Sequence, residues 1–183
     1  MIIRHATMAD LDVIAEIERI CFPEAEAASR DSFEKRLAVF PDHFWLLEKD
    51  KRIIGLINGM VSDEEYLRDE MYADADMHNE NGDWQMIFGV EVLPEYQRKG
   101  YAAMIMKQVF EDSKARGKKG VVLNCKDFRV SYYEKLGYRK GLCPKAEKLY
   151  EEEISLPLYY AMTDQDVDDV IRAVTKIAEY FKR

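Results

Sequence analysis

The stretch from Trp84 to Gly100 places the firmest limit on what this chain can fold into. Trp84 to Leu93 is a long, mostly apolar run that stops at Pro94, which reads as a central strand. Beyond the polar residues Glu95 to Lys99, Gly100 precedes Tyr101–Arg116, where Tyr101, Met104, Ile105, Gln108, Val109 and Asp112 recur at helical spacing and Gly117 marks the end. A strand therefore feeds a helix through a short turn carrying a glycine. The first backbone N–H groups of that helix have no carbonyl partners within it, so Gln97 to Ala102 can form an anion-binding concavity of the kind that holds a diphosphate. Gly100 permits close approach, Ala102 keeps the entry open, and Arg98 and Lys99 bring positive charge to it. Taken alone, a single glycine here would mean only an ordinary turn.

The rest of the chain reads as elements around one sheet. Residues 2 to 5 are β-prone, and Thr7 to Asp10 form a capping-box variant ahead of a helix with Leu11, Ile14, Ile17 and Cys21 on one face. Pro23 stops it. Asp31 to Glu34 offer a second capping box, with Phe33, Leu37 and Phe40 as the buried stripe. Phe44–Glu48 and Arg52–Ser62 are strands joined by Lys49-Asp50-Lys51 as an antiparallel hairpin. Glu64 to Tyr72 reads as a turn or two of helix, Val121–Asn124 as a strand, and about Phe128 to Leu136 as a short helix closing at Gly137. Residues 138 to 142 and Ile154–Tyr160 read as strands, the latter an edge or bulged one because of Pro157. Asp164 to Lys182 is an amphipathic helix with seven apolar residues, Val167 to Phe181, on one face. The expected class is mixed α/β, with helices flanking one sheet.

A chain of 183 residues has room for one proper core. Its formal charge of −8 argues against nucleic acid as a partner, since no run of Lys and Arg is long enough to neutralise phosphates. A cationic small molecule suits that charge better. Asp63 to Asp83 carries nine acidic side chains against the single basic Arg68, either as a solvated loop or as the rim of a mouth that attracts an amine. No apolar run approaches the roughly 20 residues of a membrane helix and the opening residues lack a signal-peptide pattern, so a cytoplasmic location is expected. Cys21, Cys125 and Cys143 are odd in number and far apart, which suits reduced thiols. Asp74, Asp76 and His78 alternate like metal ligands but lack a calcium-loop glycine and closing glutamate, so no metal is expected.

Two motifs make a resemblance specific. Gln97-Arg98-Lys99-Gly100-Tyr101-Ala102, preceded by Val90-Glu91-Val92 and Pro94, resembles the Gln/Arg-x-x-Gly-x-Gly/Ala signature of the GNAT superfamily of N-acetyltransferases. Downstream, Tyr132-Tyr133-Glu134-Lys135-Leu136-Gly137-Tyr138 resembles that family's aromatic-Tyr-Glu-Lys-Leu-Gly segment. Cys21 to Ser29, Phe40 to Phe44 and Gly55 to Gly59 are similar to the arylalkylamine (serotonin) acetyltransferase-like branch, over residues 1 to 142 in all. The resemblance implies the GNAT fold, a mostly antiparallel sheet whose fourth and fifth strands splay apart. Acetyl-CoA would then lie between Trp84–Leu93 and Val121–Asn124, against Val90, Val92, Gln97, Arg98, Lys99, Gly100, Tyr101, Ala102 and Asn124.

It also implies direct attack by a primary amine on the thioester, with a backbone N–H near Val90 to Val92 receiving the oxyanion and Tyr133 as general acid toward the leaving thiolate. The plain alternative for Tyr133 is a core aromatic on a short helix. The histidines of the animal enzymes fall at Met86 and Phe88, neither of which takes a proton. Glu24, Glu26 and Glu91 are the carboxylates near the implied site, and Glu26, on the loop that borders the acceptor cleft in this family, is the chosen base. Deprotonation through water is the other option. Cys125 reads as a structural thiol. Beyond Leu142 the family's last strand is replaced: Cys143 to Lys148 and Ile154 to Val167 resemble the C-terminal end of PLP-dependent sugar aminotransferases, without their cofactor lysine region, so no PLP is expected. Residues 143 to 183 are thus expected to be an extension that packs on the core or forms a homodimer contact. Two other functions remain open: a non-catalytic acyl-CoA-binding or regulatory module, and a protein N-terminal or lysine acetyltransferase.

Overall fold

The computed structural model describes residues 1–125 and 129–137, all within the first of two units, Met1–Ala146. The expected strands at 138–142 and Ile154–Tyr160, the expected helix Asp164–Lys182, and Cys143 lie outside the described residues.

Strand β1 (Ile2–His5) leads to a single 3-10 turn and helix α1 (Leu11–Cys21). The Asp10 carboxylate secures that corner. It accepts from the Thr7 backbone at 2.8 Å and the Thr7 hydroxyl at 3.0 Å, and takes two N–H groups of Arg4 at 2.7 and 2.9 Å. Helix α2 (Arg30–Val39) starts earlier than the Asp31 box implies. Ser29 is extended and its hydroxyl accepts the Ser32 N–H at 3.1 Å, so Ser29 is the cap and Asp31 sits in the first turn, where its charge still favours the helix dipole.

Strands β2 (Phe44–Lys49) and β3 (Arg52–Asn58) form the expected hairpin. Asp50 and Lys51 both have positive φ, 51° and 63°, the geometry that follows the twist of the strands it joins. The second strand, however, does not run on to Ser62. It breaks at Gly59-Met60, and β4 (Val61–Ser62) belongs to a different sheet. Gly59 permits this because its Cα lies against the neighbouring strand: a Cβ there would fall 1.8 Å from the Met86 carbonyl oxygen.

The expected central strand breaks too, into β5 (Trp84–Ile87) and β6 (Gly89–Val92). Phe88 donates its N–H to the Asn58 carbonyl while Gly89 is the partner of Asn58 in the ladder, so two residues face one in a β-bulge. The strand order is β1-β2-β3-β6 in one sheet, all antiparallel, and β4-β5-β7 in the other, where β5 and β7 (Gly120–Leu123) run parallel. The mixed, mostly antiparallel pairing is as expected, but the strands form two sheets instead of one.

Helices cover both faces. Residues Leu11, Ile14, Ile17, Phe33, Leu37 and Phe40 of the α1–α2 segment pack with Phe44, Leu46, Leu56 and Met86 on one side. Trp45, Leu47, Ile54 and Ile57 meet Ile105, Met106 and Val109 of α4 (Tyr101–Ala115) and Tyr133 of α5 (Val130–Lys135) on the other. The buried stripe of α4 is Ile105, Met106, Val109 and Ser113, whereas Met104, placed on that face by periodicity, is 39% exposed. In the acidic segment the helix begins at Asp69 rather than Glu64, as α3 (Asp69–Ala73), and buries only Met71. Among the described residues no helix is long and apolar enough to cross a membrane.

Candidate active site

The turn into α4 has the backbone an anion site requires. Arg98 and Gly100 both adopt left-handed φ, 60° and 84°, and Gly100 is the residue that caps the helix. A Cβ on Gly100 would meet nothing within 4 Å, so the space in front of the helix is open. The first turn carries no acidic side chain to compete for its N–H groups. Gln97 braces the turn from behind, its side-chain amide donating to the Val92 carbonyl at 2.9 Å. Tyr96 gathers three cations around one ring, with Lys49, Arg52 and Lys99 at 5.7, 5.8 and 5.7 Å from its centroid. Two of these cations are paired, Lys49 with Asp50 at 3.7 Å and Arg52 with Glu95 at 3.1 Å.

The strands diverge beside that turn. β7 runs parallel to β5 over Trp84–Ile87, but beyond the bulge β6 pairs, among the described residues, only with β3, and no described strand pairs with its other edge, the open edge. Leu93 donates to Ile54, so by alternation Glu91 and Leu93 direct their backbone groups to β3 and Val90 and Val92 direct theirs to the open edge. Val90, Val92, Gln97, Arg98, Lys99, Gly100, Tyr101 and Ala102 are in this way strung along one edge and the helix tip. Asn124 is exposed just past the end of β7.

Tyr133 is buried on α5, 8% exposed, within the cluster formed with Ile87 and the α4 residues. Burial, with smaller repulsion from Cys125, Tyr132 and Glu91, pushes its phenol up to about 12, so it is protonated throughout the neutral range. Cys125 packs partly buried in the same cluster. Cys21, half-buried on α1, is pushed up to about 11 mainly by burial and directs its thiol toward the Val92 carbonyl at 3.5 Å. A thiol raised in this way, as that of Cys21 is, makes a poor nucleophile.

On the α1–α2 face of β6 lies a buried charge cluster. Glu91 is 1% exposed, Glu18 of α1 5% and Arg36 of α2 5%. Arg36 donates to Asn58 Oδ1 at 3.2 Å and to the Tyr72 carbonyl at 2.8 Å, with its guanidinium over the rings of Phe33 and Phe88. Glu18 accepts the Ala28 N–H at 2.8 Å and so fastens the loop between α1 and α2. Its other oxygen and both oxygens of Glu91 are buried without a donor. Burial, then the charge of Glu18, raises Glu91 well above the usual carboxylate range. Glu24 and Glu26 are exposed on the α1–α2 loop. Glu18 and Arg36 went unnoticed in the sequence, yet both occupy positions where helical spacing calls for an apolar residue: Glu18 follows Ile14 by four, and Arg36 follows Phe33 by three.

The acidic segment contains a second cluster. His43 Nε2, His78 Nε2 and the Glu80 carboxylate converge, their ligand-type atoms lying within 4.8 Å of one another. The Gln85 amide donates to the Met60 and Met86 carbonyls, so its oxygen faces His43 Nδ1, which donates to it at 2.7 Å. Arg116 lies 3.0 Å from His43 Nε2, and Val61 donates to His78 Nδ1 at 3.2 Å. The Glu80 carboxylate lies 2.7 Å from His43 Nε2 and 3.2 Å from His78 Nε2, so the cluster is a hydrogen-bonded knot beside β5. Asp74 and Asp76 are not part of it; Asp74 accepts the Asp76 N–H in a 3-10 turn.

Comparison with known proteins fits this geometry. The model of the acetyltransferase (GNAT) family matches residues 11–138, well over half of the chain, and that of the DegT/DnrJ/EryC1/StrS aminotransferase family matches residues 103–175. Among solved structures, the GphF GNAT-like decarboxylase in complex with isobutyryl-CoA is similar at a TM-score of 0.63 and 25% identity, over 75% of this chain and 73% of that one. Glucosamine-6-phosphate N-acetyltransferase from Arabidopsis thaliana is similar in fold at 0.56 and 16%, over 87% and 97%. The probable hydrolase YhcX of Bacillus subtilis is 30% identical over 105 residues, 54% of this chain. The spore coat polysaccharide biosynthesis protein SpsC of the same organism is 49% identical over 49 residues, 26% of this chain. The chain spans only 20% and 13% of the lengths of these two relatives. The splayed strands, the glycine-capped helix and the match across residues 11–138 together make this chain a member of the acetyltransferase (GNAT) family.

Proposed function

We propose that this protein is an acyl-CoA-dependent N-acetyltransferase that passes the acetyl group of acetyl-CoA directly to a primary amine. The observation that carries the reading is the divergence of β6 from β7 beside the glycine-capped tip of α4. A diphosphate at the tip and an extended thioester arm along the open edge would leave the acyl carbonyl near the backbone of Val90 to Val92. N–H groups fixed there would stabilise the oxyanion without any rearrangement. Tyr133, kept protonated by burial, would supply the hydrogen bond and the proton for the departing thiolate. The acidic segment suits an amine acceptor such as an arylalkylamine, polyamine or amino sugar. Residues 143 to 183 we read as an extension of the acetyltransferase core, a fragment related to the aminotransferase family whose match reaches residue 175 and a candidate homodimer contact.

Thiol release from acetyl-CoA over a panel of tryptamine, spermidine and glucosamine tests the reading. Protection of the protein by CoA without any amine-dependent thiol release would sink it and favour a binding module. Tyr133→Phe should slow turnover about 100-fold or more while leaving acetyl-CoA binding intact. Wild-type turnover in that variant would remove Tyr133 from the role. A second reading rests on the likeness to GphF: the same cradle would serve loss of carbon dioxide from a carboxylated acyl-CoA. That reaction frees CO2 and leaves the thioester whole, so release of CO2 from malonyl-CoA without release of thiol separates the two.

A further inference from the structure

We propose that Glu18 and Glu91 hold a single proton between them, and that Glu91 is the acid–base group that takes the proton from the incoming amine. The inference deepens the amine-transfer reading and rests on it. Three buried carboxylate oxygens, Glu18 Oε2 and Glu91 Oε1 and Oε2, have no donor, and orphaned acceptors at this depth are costly. One proton between the two carboxyl groups gives two of them a partner. It also closes the charge: two carboxylates and one guanidinium leave −1 in a low-dielectric pocket, and one proton brings Glu18, Glu91 and Arg36 to zero.

The pair lies against the bulge. The Glu91 carboxyl folds back over Gly89, where a Cβ would fall 2.0 Å from Oε1. Glu91 thus sits on the residue beside Val90, whose backbone faces the open edge, so one strand would bring the acid–base group and the oxyanion donors to the same place. The groups that act on Glu91 are Glu18 of α1 and Arg36 of α2; Cys21 of α1 and Tyr133 of α5 in turn feel its charge. Glu18 also ties down the α1–α2 loop by accepting the Ala28 N–H.

The step balances. An ammonium R–NH3+ gives one proton to the singly protonated pair, leaving R–NH2 and a doubly protonated pair. The nitrogen lone pair attacks the acetyl carbon. The C–S bond breaks and the thiolate takes a proton from Tyr133, which recovers one from the new C–N–H centre. The pair then returns its extra proton to water.

The test uses the full chain, acetyl-CoA and whichever of the three amines supports thiol release. In Glu91→Gln the amide N–H replaces the shared proton toward Glu18, so the fold and acetyl-CoA affinity by calorimetry should be unchanged. kcat/KM at pH 7 should fall about 100-fold or more, and should then climb tenfold per pH unit up to the pKa of the free amine, because only amine already deprotonated in water can react. The wild type should level off at much lower pH. The carboxylic-acid C=O infrared band expected of the wild type at pH 7 should vanish in both Glu91→Gln and Glu18→Gln. Absence of that band overturns the shared proton, and a Glu91→Gln profile that levels off like the wild type overturns the base. If the band is present but no amine releases thiol, the amine reading falls and the role of Glu91 with it, while the shared proton stands.

Discussion

Gly100→Ala isolates what the turn into α4 contributes. With φ at 84°, an alanine would sit in the left-handed region at a cost of about 1–2 kcal/mol. The added methyl group meets nothing within 4 Å, so no clash adds to that cost. The variant then has two options that draw on the same energy. If the backbone holds, stability falls by about 1–2 kcal/mol, which in a chain of this size lowers Tm by roughly 2–8 °C, and acetyl-CoA affinity is kept. If the backbone turns over to relieve the strain, Tm recovers, the N–H groups at the tip are misdirected, and affinity drops by about tenfold or more. Differential scanning fluorimetry and calorimetric titration with acetyl-CoA on the same sample read both quantities. A variant unchanged in both would refute the argument that the left-handed glycine sets the direction of those N–H groups.

Gly59→Ala presents the opposite case, ordinary φ but no room: its Cβ would meet the Met86 carbonyl oxygen at 1.8 Å, so β3, β4 or β5 must move, and a loss above about 3 kcal/mol or insoluble protein is expected. Wild-type solubility and melting would show that the strand break is not held as described. Asp10, drawn down to about 2 chiefly by Arg4, contributes stability present above the usual carboxylate pKa near 4 and lost as pH falls through 2. Because Arg4 is partly exposed, that contribution is about 1–2 kcal/mol, and Asp10→Asn should flatten the stability–pH curve between pH 4 and 2. An unchanged acid limb in the variant would point to other carboxylates.

What the sequence made legible was whatever has a local cause. Gly117 and Gly137 take the positive φ that their places past helix ends implied, Gly100 uses the conformational freedom read for it, and the Asp50-Lys51 turn closes the expected hairpin. The two strand breaks were hidden because apolar patterning is the same on either side of them. Nothing in Trp84 to Leu93 distinguishes a straight strand from one that bulges at Phe88 and changes sheets, since the cause is the partner strand. The buried charges were hidden for a related reason. Glu18, Arg36 and Glu91 meet only after α1, α2 and β6 pack, and each looks locally like a polar residue free to face water. The signal present was indirect: a charge standing where the spacing of Leu11, Ile14 and Ile17, or of Phe33 and Leu37, requires burial.

The cations around Tyr96 give the chain a field whose sign depends on distance. A coenzyme A ester, itself an anion, approaching a molecule of net charge −8 is repelled from afar and attracted only within about a Debye length, ~8 Å at physiological salt. Added salt weakens both parts, but the distant one first. Arrival should therefore quicken as ionic strength rises while holding loosens, so the ion content of the surroundings sets how much of the cofactor's affinity resides in capture and how much in retention.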